Sequence, residues 1–362
     1  MPSTDTASGE PALQPGNPVV SHLLDQLRRH PKRVVFTEGE DIRVIRAAAR
    51  LVREQVVAPI LLGNKERIRA LAAEHGVPMN FILVIDPPAA ADFKLFCGMM
   101  RNMDRYRDKQ LGDPEELVAR PHYFGALMVQ YGQADAIVGG NRSFPAAYFR
   151  ALLNMIKPLP EVPRIFGVSL LAGPNLAHLG NSGLLLLADT AMIPNPTVEE
   201  LSSITIETGK LAHHFLGRRP AVALLSHSTK GSAATPDARR MAAAAALATQ
   251  TANAKFLPVD IEGEVQADVA LCPDIAREKL AHDGRRGTAD VLVFPNLDAA
   301  HIAMKLLQHV AGALTYGQLI LGLARPAAQV SRTATEETIF GTAAAVAVES
   351  IKYHQLYPQG DY

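Results

Sequence analysis

Two rhythms of apolar and polar positions alternate along the chain. Short runs rich in branched apolar residues read as buried strands, and longer stretches with apolar residues every three or four positions read as amphipathic helices. "RVVFTEG" (33–39) predicts a strand and turn, and "DIRVIRAAARLVREQ" the helix that follows. "APILLGN" (58–64) predicts a second strand before the helical "KERIRALAAEHG", and "NFILVID" (80–86) a third that stops at Pro87 and Pro88. "ADAIVGG" (134–140) predicts a fourth, after a helix through "YFGALMVQYG". The second half repeats this with "RIFGVSLLAG", "PAVALLSHS", "ADVLVFPNL" and "GQLILGLA" as strands. Between them "PTVEELSSITIETGKLAHHFLG" opens like a helix, with Pro196 and a first-turn glutamate pair, and from Thr335 onwards the tail reads as one alanine-rich helix. Strand and helix in alternation predict an α/β fold whose parallel sheet is covered on both faces.

Three prolines interrupt the helical pattern in "MIKPLPEVPR" (155–164) and mark the expected domain break. The polar, Pro- and Ser-rich opening, residues 1–20, reads as a disordered tail rather than a signal peptide. The expected division is a first domain of residues 21–157 plus 322–362 and a second of residues 158–321. A chain of 362 residues has length enough for two cores.

Charge narrows the chemistry. Lys and Arg number 36 and so do Asp and Glu, so no overall field favours nucleic acid or an anionic membrane, and any anion site is local. No apolar run approaches the roughly 18–20 residues that span a bilayer. Cys97 and Cys272 stand alone, which fits a reducing, cytoplasmic setting. The histidines form no HExxH or Cys/His cluster, so no metal site is expected.

Three loops carry candidate chemistry. In "VALLSHSTKGSAATPDARRM" (222–241) an apolar run breaks into Ser228, Thr229 and Lys230 before a helix, an arrangement that suits an anion. The same loop reads equally as a solvated connection with Thr235 as N-cap and Pro236 at the first helical position. In "VGGNRSFPAAYFR" (138–150), Gly139 and Gly140 permit close backbone approach to a ligand. Asn141 and Arg142 follow, and Arg150 lies two turns on, so that forked arginine donors suit a carboxylate or phosphate. An arginine on the outer face of an amphipathic helix explains Arg150 as well. In "ARPAAQVSRTATEETIF" (324–340), Ser331 and Arg332 precede a helix whose first-turn Glu336 and Glu337 suit its dipole without further function. No GxGxxG or GxxxxGK[ST] is present.

Several blocks run in the order found in one family. "RVVFTEGEDIRVIRAA", "PILLGN", "ADAIVGG", "LLLADTAMIPNPTVEEL", "PAVALLSHSTKGS", "DIEGEVQADVAL", "ADVLVFPNLDAAHIAMKL" and "GLARPAAQVSR" resemble the phosphate acetyltransferase and phosphate butyryltransferase family over roughly residues 30–355. The resemblance implies two α/β/α domains of the isocitrate/isopropylmalate dehydrogenase type, an interdomain cleft and a homodimer. It also implies reversible transfer of an acetyl or other short acyl group between coenzyme A and phosphate. Coenzyme A, acyl phosphate and inorganic phosphate are then substrates, no cofactor is tightly bound, and thiolate attacks the acyl phosphate directly. Ser331 matches the family serine that hydrogen-bonds the reacting group, and Arg332 the arginine beside it. Arg150 matches a phosphate-binding arginine and Arg107, in "NMDRYRDKQLGDPEE", a second one.

The chain also departs from the pattern. The aspartate assigned as thiol base, seven residues after the serine, is Thr338 here, and a hydroxyl cannot act as a base near neutral pH. Glu337 is adjacent but points about 100° away on a helix. "SRG" is "SRT", and the hydroxyls of the glycine loop are replaced by Phe144 and Pro145. "NRSF" and "FPNLDAAHI" resemble the C-terminal domain of large malic enzymes instead. Two readings follow: an acyltransferase in which water, Glu336 or Glu337 replaces the base, and a weak or inactive module that binds acyl-CoA in a regulatory role. A hydroxyacid dehydrogenase on the same fold is disfavoured, because no metal-binding aspartate set is apparent.

Overall fold

The computed structural model describes residues 18–109, 111–180, 183–280 and 288–351. Of the expected N-terminal tail, residues 1–17 lie outside this range; a helix begins at Pro18.

Eleven strands of the described residues form one sheet. They are β1 (Lys32–Phe36), β2 (Val57–Leu62), β3 (Leu83–Ile85), β4 (Ala136–Gly139), β5 (Phe166–Ala172), β6 (Leu184–Ala188), β7 (Ala221–Leu225), β8 (Asp260–Val265), β9 (Val291–Val293), β10 (Leu314–Leu321) and β11 (Ala327–Gln329). Their order is β3-β2-β1-β4-β11-β10-β5-β6-β9-β7-β8. At one end β3, β2, β1, β4 and β11 pair in parallel, and at the other β6, β9, β7 and β8 do so.

The centre departs from the all-parallel expectation. β11–β10, β10–β5 and β5–β6 are antiparallel, so the two parallel groups run in opposite directions. The connections explain it: β10 reaches β11 through residues 322–326 without a helix, and among the described residues only a 3-10 turn at Pro174–Leu176 lies between β5 and β6. Parallel neighbours need a long crossover, usually a helix, whereas antiparallel ones do not. Within β10 the register with β5 shifts between Tyr316 and Leu319, where Gly317 takes φ +78° and donates its N–H to Thr342 Oγ1 at 2.6 Å. Such a bulge bends the strand and re-aims its side chains.

Helices cover both faces. Glu336–Ile351 is the central one: Ile339 through Val348 are all buried, and it packs on β10 and on the helices Ile42–Arg53 and Pro18–Arg29. A helix apolar all round belongs inside. Its small residues permit the approach, since a Cβ at Gly341 would lie 2.3 Å from the Tyr316 ring. The helix Val198–Leu216 starts two residues later than Pro196 suggests. Thr197 caps it and exchanges hydrogen bonds with Glu200, and Gly217, at φ +64°, ends it. No helix among the described residues is long and apolar enough to cross a membrane.

Candidate active site

The bulge of β10 opens the floor of a cleft of about 550 Å3 between the two groups of strands. Gly317 and Gln318 form part of that floor with Gln329 of β11. One wall is the loop Ser331–Thr335 and the helix Pro145–Met155, which contributes Pro145 and Phe149; the facing wall is the helix Leu297–Val310, with Asp298, His301 and Lys305. Thr190 and Ala191 close one side, where Gln318 Nε2 donates to the Thr190 carbonyl at 2.8 Å. The buried carboxylate of Asp189 shapes that turn by accepting the backbone N–H groups of Ala191 at 2.7 Å and Ile193 at 2.6 Å.

Local bonding fixes the Ser331 loop. Ser331 Oγ lies 3.0 Å from Thr333 Oγ1 and accepts the Thr333 N–H. Thr335 Oγ1 accepts the Thr338 N–H at 3.2 Å, the bond an N-cap makes, and also contacts Thr338 Oγ1 at 3.1 Å. Behind the loop, Arg43 donates to the carbonyls of Arg332 at 3.0 Å and Ala334 at 2.7 Å. Arg43 is itself held by Asp41, which also accepts Asn141 Nδ2 at 3.0 Å. Burial alone raises the Asp41 carboxyl, but hydrogen bonds from Arg43 and Asn141 outweigh it and hold the group below its ordinary value. The exposed Arg332 guanidinium sits 5.0 Å from the centre of the Phe144 ring, within cation–π reach.

The sequence-predicted residues divide into three groups. Ser331, Arg332 and Thr338 line the cleft together. Arg150 is exposed on a helix that meets the cleft through Pro145 and Phe149, and is not itself a lining residue. The remaining residues lie elsewhere. Asn141 is buried on Asp41, the Arg142 guanidinium caps the Glu40 carbonyl at 2.9 Å, and exposed Arg107 pairs with Asp104 one turn away.

The "SHSTKGS" loop is likewise directed away from the cleft, towards edge strand β8. Ser228 Oγ donates to Glu264 Oε1 at 2.9 Å, Thr229 Oγ1 accepts the Gln266 N–H at 3.0 Å, and Lys230 pairs with Glu262 and the Gly263 carbonyl. Thr235 caps the next helix with Pro236 in its first turn, so strand pairing and capping account for this loop. Gly139 and Gly140 also answer to the protein. A Cβ on Gly139 would lie 2.1 Å from Thr37 Oγ1, and one on Gly140 2.9 Å from the Gln329 side chain.

Neither proposed replacement base lines the cleft. Glu337 is ion-paired with Arg50, and Glu336 borders a second cavity behind the loop. Asp298 and His301, on the facing helix, are the titratable side chains lining the cleft that sequence reasoning did not single out. "LDAAHIAMK" has the i, i+3 and i+7 spacing that puts Asp298, His301 and Lys305 on one face, but nothing in it says which face meets the cleft. Among the described residues no group of His, Cys, Asp or Glu side chains is arranged to hold a metal ion.

Comparison with known proteins places the chain in a family. Residues 19–347 match the family described as phosphate acetyl/butaryl transferase. A phosphate acetyltransferase of Acetivibrio thermocellus is 30% identical over 331 residues, 91% of this chain and 98% of that protein. The solved phosphotransacetylase of Staphylococcus aureus, 30% identical, superposes with a TM-score of 0.82 over 92% of this chain and 98% of its own. A 4-hydroxythreonine-4-phosphate dehydrogenase from Klebsiella pneumoniae, 15% identical with a TM-score of 0.50, shares the fold alone and links it to the dehydrogenase-type α/β architecture. The chain belongs to the phosphate acetyl/butaryl transferase family.

Proposed function

We propose that this protein transfers an acetyl or other short acyl group reversibly between coenzyme A and phosphate, in the cleft lined by Ser331 and Arg332. The observation that carries the reading is the convergence of that pair on one cleft in a chain of this family. In the direction of thioester synthesis the coenzyme A thiolate attacks the acyl carbon of an acyl phosphate. The C–S bond forms, the C–O bond to phosphate breaks, and phosphate leaves with the bonding pair. Arg332 neutralises charge on the leaving phosphate, and the Ser331 hydroxyl hydrogen-bonds the reacting group. No enzyme nucleophile is needed when both substrates are held in line. Arg150 assists from the rim as a second phosphate ligand. Thr338 occupies the position of the base without being able to act as one.

The thiol proton goes instead to His301 across the cleft. An imidazole accepts a proton at neutral pH where a hydroxyl does not, and Asp298 on the same helix face is the acidic alternative. The protein works in the cytoplasm as two domains, split at the boundaries the sequence suggests, and as a homodimer. The exposed Ile302, Leu306 and Val310, spaced four apart on one helix, offer the homodimer an apolar face.

Thioester formation from coenzyme A and acetyl, propionyl or butyryl phosphate tests the reading, followed across pH with wild-type protein and His301→Gln. Turnover is expected for at least one acyl phosphate, with kcat lowered about 10²-fold or more in the variant. Acetyl-CoA binding with no turnover by wild type on any acyl phosphate contradicts the enzyme and leaves a sensing module. Undiminished turnover in His301→Gln rejects His301 alone.

A further inference from the structure

The second cavity, about 470 Å3, lies behind the Ser331 loop and shares no lining residue with the cleft. Its wall is one face of the helix Ile42–Arg53, where Arg46, Arg50 and Arg53 recur at three- and four-residue spacing. Arg50 pairs with Glu337, and its guanidinium lies 3.8 Å from the centre of the Phe340 ring. Arg46 and Arg53 are exposed and make no hydrogen bond or ion pair to any described residue. The opposite rim is the turn before β3, which carries Phe81. That ring is 87% exposed and its backbone is left-handed at φ +62°, so neither burial nor backbone preference explains an aromatic there. Among the described lining residues Glu336 is the one carboxylate.

We infer that this cavity binds a nucleotide that carries a diphosphate or longer phosphate chain. Guanidinium forks match phosphate oxygens, and two of the three here are uncommitted. A base stacks on an exposed aromatic ring through dispersion and needs no hydrogen-bond code. Glu336, which repels phosphate, accepts a hydrogen bond from a ribose hydroxyl or an exocyclic amine, so a bare polyphosphate fits less well than a nucleotide. The volume lies within the range of small-molecule sites. The same helix holds the cleft loop through Arg43, and Arg50 grips the residue next to Thr338, so the site adjoins the cleft without opening into it.

Adenine nucleotide chemistry reaches this protein from two sources, a free nucleotide and the nucleotide end of coenzyme A; the inference is for the free one. The test is calorimetric titration with ADP of wild type, Arg46→Gln/Arg53→Gln and Phe81→Ala, each with and without saturating coenzyme A. These side chains are exposed, and circular dichroism checks that the variants are folded. The expected result is binding of one ADP per chain that survives coenzyme A and weakens tenfold or more in both variants. No binding by wild type overturns the inference, as does undiminished binding by the folded variants. Displacement by coenzyme A overturns it too, because the nucleotide then occupies the substrate's own seat.

Discussion

Glu349, near the end of the central helix, is buried, and its Oε2 has no hydrogen-bond partner among the described residues. Burial raises its pKa from 4.5 to about 8. The folded state therefore holds a proton that the unfolded chain releases above its own lower value. Stability falls as pH rises between those two values, by about 1.4 kcal/mol per unit at the steepest, and levels off above the folded pKa. Thermal melts of wild type and Glu349→Gln are expected to agree near pH 4 and to separate as pH rises to 8, with the variant melting higher. A constant gap across that range contradicts the titration. Such a residue shows how little of the residue scale can be read from sequence. Ser331 and Arg332, which line the cleft, were singled out through ordered blocks of resemblance, but a glutamate in "AVAVESI" gives no sign that it faces inward. The Ser228–Lys230 loop is hard to read for the converse reason. Its hydroxyls and ammonium look free until β8 is paired beside them, and β8 is a strand of acidic residues, which strand propensity disfavours.

At the scale of elements the period of the pattern served well wherever one face is polar. The strands from β1 to β4, and the helices read from their periodicity between them, lie within a few residues of their predicted bounds. β6 was passed over because "LLLLA" is apolar throughout, and β11 because three residues carry no period. The antiparallel centre is set by short connections rather than by the strands, and its bulge sets the cleft floor. The central helix depends on close approach to that bulge. Gly341→Ala places a methyl against the Tyr316 ring and is expected to cost about 1–3 kcal/mol, read as a lower midpoint in urea unfolding with an unchanged slope. A midpoint equal to wild type means that helix and strand separate more easily than their packing implies.

In the molecule as a whole, two groups of parallel strands running in opposite directions leave a cleft where they meet, and the proposed chemistry is assigned there. From the first group come Ser331 and Arg332, steadied by the Asp41–Arg43–Asn141 brace; the second brings Asp298, His301 and Lys305. No local stretch of sequence contains this arrangement, which is why resemblance named one wall and left the other blank. The central claim is that acyl transfer passes through this cleft and not through the polar loop after β7. It is tested most directly by kcat/KM for acetyl phosphate in Arg332→Ala and Lys230→Ala beside wild type. Arg332→Ala is expected to lose about 10²-fold or more and Lys230→Ala to stay near wild type. A large loss at Lys230 with Arg332 dispensable would contradict it and move the site to the loop.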